Sequence, residues 1–168
     1  MKKLVSILMA VIIMVGTIGA FATTAGAVKN PRIGEMYMYA RIDGIDGDAA
    51  APFNNDYLRW IDVINYEQSF ESVDGKEYTK LTFTHYLDCA SPAIQEYCKN
   101  STVIDSADFH ITVRDTYENE ENAIYTLHLE NAVITSVKST GAAMYDDGWF
   151  TYPTETVTLL AEISTSAV

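Results

Sequence analysis

The stretch from Leu81 to Cys98, LTFTHYLDCASPAIQEYC, constrains the fold more than any other. Leu81, Phe83, His85 and Leu87 alternate with Thr82, Thr84 and Tyr86. A period of two puts one row of side chains on a buried face, which is the pattern of a strand. Ser91-Pro92 then changes the chemistry. Serine is a good helix N-cap, and proline suits the first helical position, where its missing N–H costs no bond. Ile94 and Cys98 form an i, i+4 apolar pair on one helix face, and Asn100 marks the expected C-terminal cap.

Nearly everything else reads as strand and turn. Residues 36–42, MYMYARI, predict a first strand, and residues 43–56 are rich in Asp-Gly, Pro and Asn turn signals. Residues 57–70 predict a long strand with Trp60, Ile64, Tyr66 and Phe70 on one face. Ile61 and Val63 add apolar area to the other face. A strand apolar on both faces is either central in a two-layer fold or covers a partner. Asp74-Gly75 predicts a tight hairpin. Residues 104–114 and 123–137 alternate again, with Ala107, Phe109, Ile111 and Val113, then Tyr125, Leu127 and Leu129, facing a core. Residues 141–150 and 154–163 finish the system. The sum is seven or eight strands: a mainly β fold, two packed antiparallel sheets forming a β-barrel or sandwich, with one short α-helix.

The N-terminus sets the compartment. Lys2-Lys3 precedes an uncharged apolar run that ends in Ala25-Gly26-Ala27. This is the pattern of a signal peptide, residues 1–27, cleaved after Ala27. Its glycines and its A-x-A site favour cleavage over retention as an anchor. Residues 28–35 then form a short polar arm and residues 36–168 a single domain, secreted, extracellular or periplasmic. The formal net charge of −12 becomes more negative once Lys2 and Lys3 are removed. Such a surface repels nucleic acid and anionic membranes.

Export suggests a disulfide between Cys89 and Cys98. Helical geometry argues against it, because the rise from residue 92 to 98 alone is about 9 Å. Bridged Cα atoms lie within about 7 Å. The aspartates Asp43, Asp46 and Asp48 lack the calcium-loop pattern: Ala51 stands where glycine belongs and Tyr57 where glutamate belongs. If the hairpin of residues 108–130 turns near Asn119, His110 faces His128 and Asp108 faces Glu130. That cluster could hold a metal, serve as a pH-sensitive contact or be plain surface, and a one-residue slip destroys it. No G-x-S-x-G elbow, phosphate loop or C-x-x-C occurs, and nothing orients His85 and Cys89 as base and nucleophile. Neither an enzyme nor a cofactor is expected.

Several blocks, in order, resemble one family. They are residues 39–45 with Gly47, then residues 60–63, then residues 81–88 followed by residues 90–94 and Cys98. Residues 132–137 and 153–159 complete them. Together they resemble the haemolysin-coregulated protein family, the tube protein of type VI secretion. The resemblance implies two sheets closed into a barrel, a flanking helix, self-assembly into a hexameric ring, stacking of rings into a tube, and no catalysis. It also implies secretion-machine components or small cargo in the lumen as partners. Family position and two-faced apolarity together place Trp60, Ile61, Val63, Asp88 and Ser91 at the subunit contact. The leader is a departure from the family, since it implies export before assembly. A different reading is a secreted β-sandwich that stacks a sugar or other flat ligand on Tyr145, Trp149, Phe150 and Tyr152.

Overall fold

The computed structural model describes residues 34–115, 120–141 and 152–162. Six strands occur among them: β1 Gly34–Ile42, β2 Ile61–Val73, β3 Lys76–Tyr86, β4 Val103–Asp115, β5 Glu120–Thr140 and β6 Thr154–Glu162. A 3-10 turn, Asn55–Tyr57, precedes β2, and helix α1, Ser91–Asn100, lies between β3 and β4. The strands close into a barrel in the order β1-β2-β3-β6-β5-β4, every neighbouring pair antiparallel. The mainly β fold with a single short helix is thus the one the alternation predicts. The strand expected over residues 141–150 falls almost wholly outside the described residues.

The interior follows the alternation. Leu81 and Phe83 of β3, Ala107 and Phe109 of β4, Ile134 of β5, and Val157 and Leu159 of β6 are all buried in one cluster. The β2–β3 hairpin turns at Asp74-Gly75, both with positive φ (51° and 79°), which is the geometry that matches strand twist.

Two register jumps change what the sequence suggested. In β2 a bulge falls between Val63 and Asn65. Before it, Ile61 and Val63 face the core; after it, Tyr66 packs on Phe109 with ring centroids 4.7 Å apart. Gln68 accepts a hydrogen bond from Tyr125 on the same inner side. From Ile61 onward the apolarity is therefore one face whose parity changes at Ile64, while Trp60 just before it belongs to a separate cluster. In the β4–β5 pair a shift between Ile111 and Thr112 sets the register so that Asp108 faces His128 and His110 faces Thr126. The expected His110–His128 and Asp108–Glu130 pairs do not form, because the ladder already starts out of that register at Asp115–Glu120 and the bulge recovers only one residue.

The helix also differs at its ends. Ala90 is its N-cap and Ser91 its first residue, and Ser101, in the left-handed region at φ 49°, is the C-cap rather than Asn100. The N–H groups of Ser101 and Thr102 close onto the Cys98 and Tyr97 carbonyls. Ile94 is buried in the main core, and Cys98 packs against it from the same face.

A second small core sits outside the barrel. The chain between β1 and β2 folds back so that Gly47 N–H donates to the Arg59 carbonyl and Ala49 N–H to that of Trp60. A Cβ at Gly47 would collide with the Trp60 carbonyl, so the close approach requires glycine. Ala49, Ala51, Tyr57 and Trp60 thereby cover the outward face of Tyr39.

Candidate functional site

Trp60, Ile61 and Val63 are buried within this chain, Trp60 in the outer cluster and the other two in the barrel core. Ser91 is buried too, and its hydroxyl accepts from the Asp88 N–H at 3.2 Å. Asp88 is half-buried, and its carboxylate accepts from the Ala90 N–H at 2.9 Å. Asp88 and Ser91 thus lock the start of α1 between them. Of the five, only Asp88 lines the cleft beside Tyr86 and Tyr152.

That cleft, of about 400 Å³, is lined by Asp48, Asp62, Tyr86, Leu87, Asp88 and Tyr152. Tyr86 and Tyr152 meet edge to face, 5.8 Å between centroids. Burial, then the neighbouring Asp88 charge, pushes the Asp48 carboxyl above its ordinary range. Burial does the same to Asp62, against the pull of the Ala50 N–H. Burial also works against the Asp88 carboxylate, but nearby His85 and the Ala90 N–H outweigh it and hold its pKa below the usual value.

The barrel wall is incomplete along one seam. Between β1 and β2 only Tyr39–Asp62 and Ala40–Ile61 pair. Beyond them, residues 34–38 of β1 bond to β4 on one side, and residues 65–73 of β2 bond to β3 on one side. The other edge of each has no ladder partner among the described residues. Alternation points Met36 inward with Met38 and Ala40, and Phe70 inward with Tyr66 and Gln68. Met36 is nevertheless 61% exposed and Phe70 70% exposed. Both lie where β1 and β2 have no ladder between them. At constant parity β2 does not show this feature; the sequence signal for it is the aromatic row Tyr66–Phe70 continuing past the bulge.

The other predicted residues separate. His128 Nδ1 lies 2.6 Å from Asp108 on the open sheet surface. His110 is drawn instead under Trp60 and Tyr57, whose hydroxyl lies 3.1 Å from its Nδ1, and burial lowers its pKa. Cys89 and Cys98 are free thiols, the first exposed. Tyr145, Trp149 and Phe150 lie outside the described residues. No helix among the described residues is long and apolar enough to cross a membrane.

Comparison with known proteins gives this geometry a family. Hcp1 from Salmonella typhimurium shares 22% identity over 74% of this chain and 79% of its own, with a TM-score of 0.57. A type VI secretion system effector from Yersinia pestis shares 22% identity over 73% and 81%, with a TM-score of 0.55. The secreted protein Hcp3 from Pseudomonas aeruginosa shares 14% over 79% and 93%, with a TM-score of 0.53. At these identities the likeness establishes the fold. None of the curated proteins compared matches the chain. The family model described as "Type VI secretion system effector, Hcp" matches residues 39–162, most of the chain, and the protein belongs to that family.

Proposed function

We propose that the protein is a non-catalytic ring subunit, exported after cleavage following Ala27, that assembles head to tail into a closed ring of six copies and stacks into tubes. The half-open β1–β2 seam carries this reading. Unpaired strand edges flanked by exposed apolar side chains are the standard acceptor for another chain's strand. The two edges differ in sequence, so a contact made along them is heterologous, and heterologous contacts form rings when the rotation closes.

Met36, Tyr66 and Phe70 supply the apolar part of the contact, and Asp88 lies at its rim. Trp60, Ile61, Val63 and Ser91 act from beneath by fixing the strand and helix that present it. Secretion-machine components, or cargo held in the lumen, are the further partners.

Size-exclusion chromatography with light scattering, on protein recovered outside the cytoplasm and beginning at Val28, tests the proposal. A mass six times that of the subunit is expected. A strict monomer at high concentration would sink the ring.

A further inference from the structure

The barrel end beneath α1 buries a base between two acids. His85 is 1% exposed, its Nδ1 3.7 Å from Asp88 Oδ1 and its Nε2 3.5 Å from Glu155 Oε2. Glu155 is fully buried. Neither imidazole nitrogen has a hydrogen-bond partner, nor does Glu155 Oε2. Buried polar atoms left this way are unfavourable unless charge attraction stands in for the missing bond. That attraction exists only while the imidazole carries both its protons.

The groups around His85 come from every element packed against it. Phe83, on the same strand, presents its ring 5.9 Å away. Val63 stands opposite His85 in the β2–β3 ladder. The link to α1 contributes Asp88, and β6 contributes Glu155. Gln95 of α1 donates to Glu155 Oε1 at 2.7 Å, and Ser139 of β5 donates to the same oxygen at 2.9 Å. Beyond Asp88 lie Asp48 and Asp62, whose carboxyls feel its charge. None of these is a second base.

We propose that His85, Asp88 and Glu155 form a proton-controlled latch that seats α1 on the barrel end. With the imidazolium in place, both carboxylates have a counter-ion, Glu155 holds Gln95, and Asp88 holds the Ala90 N–H. When the proton leaves, two carboxylates face each other across a neutral ring. Their repulsion acts on α1 through the two bonds that hold its first turns. The imidazolium's contribution lasts while the ring holds its second proton and goes with that proton. The contribution of Asp88, whose pKa is depressed, has the opposite sense: it is lost only below the ordinary carboxylate range. The latch is therefore tight in mildly acidic solution and loosens on the alkaline side. Asp88 also lines the Tyr86–Tyr152 cleft, so the loosening reaches the surface.

Amide hydrogen exchange of residues 93–100 in the folded domain tests this, after correction for the intrinsic pH dependence of exchange. Exchange in α1 should be about tenfold faster at about pH 8 than at about pH 5, with β4 amides unchanged. In Glu155→Gln the acceleration should fall below about twofold, because the neutral ring then faces a single carboxylate. His85→Lys, which stays charged throughout, should abolish it; where that variant fails to fold, Glu155→Gln decides alone. His128→Gln, on the open surface, should leave the acceleration intact. Exchange in α1 that ignores pH in the unaltered protein would overturn the latch, as would acceleration that persists in Glu155→Gln.

Discussion

The α1-covered end of the barrel and its open seam manage polar and apolar groups in opposite ways. Under α1 a histidine and a glutamate are sealed inside, beyond the reach of water. Along the seam, Met36 and Phe70 point inward yet remain exposed. Sealing charges in is costly unless they are paired, and leaving inner apolar faces wet forgoes the main driving force of folding. The covered end achieves closure within the subunit, and the seam is where the proposed contact with another copy would cover it.

The largest expected effect tests the covered end. Phe83 is fully buried and packs beside His85 under the helix. Phe83→Ala should cost about 3–5 kcal/mol of unfolding free energy, because a large cavity opens where the wall cannot collapse. Urea unfolding measures it. A loss near 1 kcal/mol would mean that this end is as loosely built as the seam.

The seam should respond the other way round. Phe70→Glu should change subunit stability by no more than about 0.5 kcal/mol, since the ring already lies in water. The same substitution should raise the concentration needed for half-assembly at least about tenfold, by placing a charge on an edge that is to be buried. Sedimentation velocity over a concentration series reads the second quantity and thermal unfolding the first. A Phe70→Glu protein that assembles unchanged would remove the seam from the subunit contact.

The two regions were not equally legible in the sequence. The covered end was: the Leu81–Phe83–His85 row and the Ser91-Pro92 break define a strand running into a helix, and both are where they were expected. The seam was not, because a bulge has no reliable composition. Ile64 looks like any other β-branched strand residue, yet it turns Tyr66 and Phe70 to the side that Ile61 and Val63 occupy before it. From Ile61 onward, the apparent two-faced apolarity thus comes from that change of parity. Glu155 escaped for a related reason. Nothing in Thr-Glu-Thr marks a buried acid until β6 pairs with β3 and sets it opposite His85.

Asp62 stands at the boundary between the two regions, in the last pair before the seam opens, and offers the finest test. Its carboxyl pKa is raised by burial, against the pull of the Ala50 N–H. A raised carboxyl binds its proton more tightly in the folded state, so folding is favoured at low pH. That advantage disappears as the pH climbs from the ordinary value of 3.8 through the raised one. At neutral pH the folded protein carries the full penalty of a partly desolvated charge. Asp62→Asn removes the charge and keeps an oxygen that can accept from Ala50. It should melt about 1–3 °C higher than the unaltered protein at pH 7, a small gain because water still reaches the site. The gain should shrink as the pH falls through the raised value toward the ordinary 3.8, because the carboxyl of the unaltered protein then takes up its own proton. A neutral-pH gain that persists at pH 4 would trace the stabilisation to packing. A loss at neutral pH would show that the boundary pair depends on the charge, and the open seam would then begin at a residue held by electrostatics.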